Sequence, residues 1–334
     1  MKARFRTSVL FLCAVFSAAA LFSLRAAGKD EAVELKFDGR PKVGEPYQLY
    51  VNSKQVRTYR MKLIGIANPP RRRETHEVQA LGELVYQSLD PLILQFKVES
   101  LSQTVDGETT DYAPLAGMTA IIRSSGVNLR DIPVGTDENA AASVLGGSGS
   151  DAGADASGAK TTKEIREMIP GARRLIASMF AAPLDRPEEY LGASRKVRPG
   201  EKWTASAKPM LDAIKANGLE LSADRISATA TYNNAAKEFG SVPAHKVYFL
   251  AESDNIPGYD FKLEVFFSFP DGGGDAPLRI ERSATEVVNK MVPEGVPGFS
   301  GSVMDCVTTD QTDFALVRKS SLKTKKKNWF LDLF

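Results

Sequence analysis

The chain has 334 residues, 43% hydrophobic and 25% charged, an ordinary globular composition whose length suits two domains of about 150 residues each. A formal net charge of +2 gives no basis for nucleic-acid binding, and two His and two Cys are too few for the commoner zinc and iron–sulfur sites. With 18 Pro and 26 Gly, collagen-like and wholly disordered chains are excluded as well.

The N-terminus reads as an export signal over residues 1–28. Lys2, Arg4 and Arg6 precede an uncharged, mostly apolar stretch over 9–24, shorter than the roughly 20 residues that cross a bilayer. Ala18-Ala19-Ala20 and Ala26-Ala27-Gly28 both fit small-x-small cleavage. The later cut leaves a polar start at Lys29-Asp30-Glu31. Cys13 follows Leu12 inside the apolar stretch, which argues against a lipid anchor. The exported chain would carry 39 basic and 41 acidic residues and the single cysteine Cys306. With no intramolecular disulfide, its stability rests on its core, and Cys306 reads as a small buried hydrophobe.

Residues 29–134 form a first β-rich unit. Strands are expected at 47–51, at 57–63, where polar and apolar residues alternate, at 92–98 and at 118–123. Arg71-Arg72-Arg73, following Asn68-Pro69-Pro70, reads as a charged loop tip, and His76 as part of an exposed polar turn. Residues 135–160 are a flexible linker, because 146–159 contain only Gly, Ser, Ala and Asp. Asp151 and Asp155 lack the partners of an EF-hand loop.

Residues 161–320 form a second β-rich unit that opens with a helix. Ile165, Met168, Ile169, Ala172, Leu175, Ile176, Met179 and Phe180 fall at steps of three and four. Thr161 and Glu164 have capping-box spacing, and Pro170-Gly171 predicts a kink or two short helices. The stripe is expected to pack on the second sheet; its functional reading is a lid over an apolar ligand. Strands follow at 203–208, 226–232, 246–250 and 262–269, where Leu263, Val265, Phe267 and Phe269 share one face. A turn at 271–275 returns the chain into 278–282. Short strands and tight turns argue for antiparallel meanders. Val43-Gly44-Glu45-Pro46-Tyr47 resembles Pro199-Gly200-Glu201-Lys202-Trp203, an internal repeat that opens each unit.

The motifs of catalysis are few. Gly298-Phe299-Ser300-Gly301-Ser302 misses the nucleophile elbow at its last position. His76 and His245 stand in no triad or metal spacing, and Asp305, Cys306, Asp310 and Asp313 read as loop and edge-strand residues of a solvated hairpin. No phosphate loop or dinucleotide fingerprint is present. No catalytic residue, metal ligand or cofactor is assigned. Residues 321–334 form a basic-aromatic tail: Lys323, Lys325, Lys326 and Lys327, then Trp329 and Phe330, extend a positive run that starts at Arg318. This composition suits a membrane surface or a partner protein.

The helix with its Met179-Phe180-Ala181-Ala182-Pro183 exit, the Arg198-Pro199-Gly200-Glu201-Lys202-Trp203 strand opening and the stretch over 114–126 resemble the periplasmic lipoprotein-carrier superfamily and related bacterial domains of unknown function. The resemblance implies an α+β, mostly β fold of two tandem antiparallel half-barrels, at least one packed on the amphipathic helix. It implies an exported protein of the bacterial periplasm or envelope. The expected function is non-enzymatic binding of a lipid, an acyl chain or a partner protein on a concave sheet. Met168, Leu175, Met179, Phe180, Phe267, Trp329 and Phe330 are the candidate contact residues. The alternatives are a scaffold that docks through its tail and a hydrolase whose site is assembled only in three dimensions.

Overall fold

A computed structural model describes residues 32–62, 71–131, 156–181, 186–192, 194–216, 225–238, 242–254, 256–271, 276–291 and 303–321. The expected signal, most of the linker, and Lys325, Lys326, Lys327, Trp329 and Phe330 lie outside these residues.

Strands dominate. The first half holds β1 (Val33–Leu35), β2 (Pro46–Lys62), β3 (Arg71–Leu89), β4 (Leu92–Val105), β5 (Glu108–Asp111), β6 (Thr119–Arg123) and β7 (Gly126–Arg130). Next come helices α1 (Ala156–Ala181) and α2 (Pro187–Leu191), strands β8 (Arg195–Val197) and β9 (Lys202–Thr204), and helix α3 (Lys208–Ala216). The second half ends with β10 (Ile226–Glu238), β11 (Val242–Ser253), β12 (Tyr259–Pro270), β13 (Arg279–Met291) and β14 (Val303–Arg318).

Where two sheets are expected, twelve strands form one open antiparallel sheet, ordered β7-β6-β4-β3-β2-β14-β13-β12-β11-β10-β9 with β5 on the flank of β4. The join is the β2–β14 pair, which runs in register from Tyr47↔Arg318 to Lys62↔Val303. In space the strands read as a single up-and-down meander that starts at β9 and ends at β7. The first long strand of one half lies against the last strand of the other. A mostly polar sequence over 303–313 is read as a hairpin edge, yet here it is interior strand. Ladder hydrogen bonds on both sides satisfy its backbone, which apolar alternation does not report. For the same reason the expected strands at 47–51 and 57–63 are one strand, and Arg71-Arg72-Arg73 opens β3 instead of capping a loop.

Each half keeps its own core. In the first half, Leu49, Leu84, Leu94, Phe96, Leu101, Leu115 and Met118 are sealed by Ile165, Ala172, Leu175 and Ile176 of α1. The helix thus packs on the first half, not the second, and the expected unit boundary before it moves to a point after it. It also starts at 156, so Thr161 lies inside it and cannot cap it, and it runs unbroken through Pro170. At Gly171 an added Cβ would lie 2.7 Å from the Tyr112 hydroxyl, so any larger residue must displace that ring.

In the second half, Phe249, Val265, Phe267, Phe269 and Ala230 are covered by Leu35 and Phe37, by Tyr190 and Leu191 of α2, and by Trp203. Burying each such aliphatic or aromatic side chain contributes about 1.5–3 kcal/mol. The Trp203 Nε1–H donates to the Leu191 carbonyl at 3.1 Å, satisfying the one polar atom of a buried indole. Phe314 packs against both cores from β14.

Candidate functional site

Two segments cross between the halves. Residues 36–45 lead from β1, whose Leu35 belongs to the second core, to β2 in the first. Arg186 leads into α2, whose Tyr190 and Leu191 belong to the second core. The two are tied together by Arg40 and Glu188, where Nη1 donates to Oε2 at 3.1 Å and Nη2 makes a closer contact with Oε1. Burial pushes the Glu188 carboxyl up, but the hydrogen bond and charge of Arg40 outweigh it and hold the group below its ordinary range.

Beneath these crossings, at the end of the sheet, lies a cavity of about 250 Å³. Its floor is Ile280 of β13 with Phe314 and Leu316 of β14; Tyr86 and Leu89 of β3 and Leu92 of β4 form one side. The remaining wall is Gly39-Arg40-Pro41, Ala276-Pro277, and Arg186 with Pro187, the first residue of α2. Backbone usually brings amide donors to a surface, but Pro41, Pro187 and Pro277 have none, so even this wall is poor in polar groups. Leu89 and Leu92 remain 40% and 43% exposed at the β3–β4 turn. The Arg40 and Arg186 side chains, 43% and 63% exposed, put two guanidinium groups on the solvent side. Arg186 meets Glu189 at 3.5 Å. Burial drives the Tyr86 hydroxyl far above the ordinary tyrosine range, with the nearby Tyr47 hydroxyl adding to it, so it lines the cavity as a neutral group.

The apolar residues singled out from the sequence do not form this site. Leu175 is buried in the first core, with Met168, Met179 and Phe180 packed against it; Phe180 meets Phe96 edge-on at 5.8 Å. Phe267 is fully buried in the second core, 6.1 Å from Tyr190. Leu175 and Phe267 are interior in two separate clusters, whereas Met168, Met179 and Phe180 are partly buried against the first of them, because a helical stripe or an alternating strand face reports burial and not a vacancy. The cavity residues escape a sequence reading because they come from five separate segments. The one usable signal is the recurrence of proline beside Arg40, Arg186 and Ala276.

His245 is 9% exposed. Its Nδ1 lies 2.9 Å from the Tyr232 hydroxyl and its Nε2 3.3 Å from Asp271 Oδ1. An acid, an imidazole and a hydroxyl in line have the order of a catalytic triad. The Tyr232 side chain is only 1% exposed, however, so the hydroxyl has no room for a substrate, and the chain of contacts pins β10 and β11 to the end of β12. His76 is not in an exposed turn but partly buried in β3, 2.5 Å from Gln103 Nε2. The acidic cluster disperses along β14: Asp310 accepts from Gln55 Nε2 at 2.7 Å, Asp313 takes a two-pronged contact from Arg279, and Cys306 is a partly buried free thiol. At the end of β14, Arg318 and Lys319 are engaged with Glu45 and Glu83, at 3.2 and 2.5 Å.

No protein-family model and no curated protein sequence matches the chain. Among solved structures it is similar to the OmpF porin of Salmonella typhi in complex with daunomycin, at 10% identity and a TM-score of 0.22, covering 84% of this chain and all of that one. A mutant porin of Rhodopseudomonas blastica overlaps at 12% identity and a TM-score of 0.20, over 80% of this chain and 99% of the porin. P47 of Clostridium botulinum overlaps at 8% identity and a TM-score of 0.15, over 90% of this chain and 85% of P47. The sheet here is open, with β7 and β9 at its two edges.

Proposed function

We propose that this is an exported, non-enzymatic protein of the bacterial envelope that holds a single-chain amphiphile in the cavity between its two cores. One observation carries the reading: a proline-walled apolar cavity opens between two exposed leucines and two exposed arginines. Small-molecule sites span about 300–1,000 Å³, so a volume near 250 Å³ suits one alkyl chain and not a diacyl lipid. Removing that chain from water is favourable at about 0.8 kcal/mol per buried methylene. Arg40 and Arg186 would take the anionic head by exchanging partners with Glu188 and Glu189. Those ion pairs are exposed, and exposed pairs are worth only about 0–1 kcal/mol. The basic, apolar and small-residue segments of residues 1–28 support export.

The test is native mass spectrometry of the exported protein with lipid extraction, joined to thermal melts in decanoate and in a lysophospholipid. Co-purifying amphiphile, or a melting point raised by either probe and no longer raised in Ala276→Trp, which fills the cavity from its loop wall, supports the reading. A protein that carries no lipid and melts at the same temperature with and without both probes overturns it.

A further inference from the structure

The opposite face of the sheet carries a second and larger depression, of about 700 Å³, that the amphiphile reading leaves unused. It extends from Glu77 on β3 to Lys246 on β11. Those strands are five places apart in the sheet order, about 24 Å on a flat sheet. For both to border one depression the sheet must curl towards this face, as twisted sheets of long strands do.

Four of its features point to one class of ligand. Phe266 is exposed in the middle of an interior strand, and its ring is backed on one side by its cross-strand partner Tyr248 at 4.8 Å between ring centres. The Tyr248 hydroxyl donates to Glu264 at 2.7 Å, which holds that backing ring in place. Asn52 and Gln311 bring two carboxamides to the lining. Finally, the charges are mixed: Lys54, Lys246 and Arg282 stand among Glu77, Glu264, Glu281 and Asp313.

We propose that this groove binds a neutral oligosaccharide. Sugar rings present apolar C–H faces that lie flat on aromatic rings, and hydroxyls that donate and accept at once, matching carboxylates, amides and cations interleaved on one surface. A polyanion is disfavoured by the carboxylates. An extended peptide recognised by strand addition is disfavoured too. The strands under the groove are interior, and their backbone groups are already spent on neighbouring strands. Recognition therefore falls to side chains alone.

The experiment is calorimetric titration of the full chain with chitin and cellulose oligosaccharides of increasing length. Phe266→Ala and Asn52→Leu are measured beside the wild type, and melting points check that each is folded. The expected result is binding that strengthens with length and weakens about tenfold in Phe266→Ala and Asn52→Leu, with melting points close to that of the wild type. The proposal is overturned if neither glycan series binds, if both variants bind as tightly as the wild type, or if the groove takes an acidic or basic peptide instead.

Discussion

Gly44 and Gly200 occupy the same place in two copies of one turn. Each has φ +81°. Each donates its N–H to the carbonyl of a tyrosine on the adjoining strand, Gly44 to Tyr86 at 2.9 Å and Gly200 to Tyr232 at 2.7 Å. In each the acid that follows donates its N–H to the carbonyl three residues back, Glu45 to Lys42 and Glu201 to Arg198. The aromatics that come next, Tyr47 and Trp203, are buried in the first and second core respectively. A repeat visible as five residues in the sequence is thus a repeat of backbone geometry, hydrogen bonding and core anchoring.

This equivalence makes a paired prediction. A Cβ at either glycine would meet nothing within 4 Å, so alanine is opposed by backbone conformation alone, at about 1–2 kcal/mol. Gly44→Ala and Gly200→Ala should each lower the unfolding free energy measured in urea by that amount and match one another closely. A large difference between them would mean that the two turns carry unequal roles.

Gly82 should behave otherwise. It sits where the β3–β4 register slips between Leu81 and Gly82, and its added Cβ would lie 2.2 Å from the Lys97 carbonyl oxygen and 2.6 Å from the Phe96 ring. Backbone oxygen cannot swing aside as a side chain can. Gly82→Ala should cost about 3 kcal/mol, the upper part of the range for overpacking, and exceed either turn variant in the same urea series.

The second-half end of the join rests on a charge network. Arg279 Nε and Nη2 donate to the two oxygens of Asp313 at 2.9 and 2.6 Å, across β13 and β14. The same guanidinium lies 3.7 Å from Glu238, which is only 4% exposed and also takes Lys246 at 2.9 Å. The hydrogen bond to Asp313 raises the Arg279 pKa against the opposing effect of burial, so the cation persists at any working pH. Arg279→Met alone should cost about 1–3 kcal/mol, by removing the cation from a partly exposed Asp313 and leaving Glu238 with Lys246 and Ser268. Arg279→Met with Asp313→Leu should recover much of that, and a double-mutant cycle by thermal melts measures the coupling.

These particulars divide what the sequence discloses from what it withholds. The alternation of Leu263, Val265, Phe267 and Phe269 discloses β12, and the three-four spacing from Ile165 to Phe180 discloses α1, because both patterns record one-sided burial. Neither says which half the helix covers. That depends on Ala172, Leu175 and Ile176 meeting the first core, a choice made by packing between residues far apart in the chain. β14 is withheld because its residues beyond Phe314 towards the N-terminus lie outside both cores, so strand order and not hydrophobicity places them. The cavity is withheld for a related reason. It is a junction of ends and crossings, and its prolines matter only once five segments converge.

The Arg40–Glu188 tie gives a prediction in acid. Glu188 titrates below its unfolded range, so the tie contributes above about pH 4.3, the ordinary glutamate value, and is lost as pH falls through the folded pKa. Both side chains reach solvent, which limits the effect to about 0.2–1 kcal/mol. Arg40→Ala should therefore melt below the wild type at neutral pH, and the two curves should converge in acid. A gap that persists unchanged below pH 3 would assign the loss to packing of the Arg40 stem instead.

The opposite limit is set by tyrosines. Of nine in the chain, Tyr50, Tyr86, Tyr232, Tyr248 and Tyr259 are all raised, in each case chiefly by burial. Tyr248 is pushed up to about 12, with its hydrogen bond to Glu264 as the second cause. Tyr86 goes higher, deep in the first core. In the unfolded chain these groups ionise near pH 10. Above that value the native state holds protons the unfolded chain has released, so stability is complete below pH 10 and falls as pH rises towards the folded values. Tyrosinate absorbance in the near ultraviolet should accordingly rise in two stages, the second coinciding with loss of β-sheet circular dichroism. Tyr86→Phe should move that second stage to higher pH. A single stage near pH 10 with the sheet intact would mean that these hydroxyls reach water in the native protein.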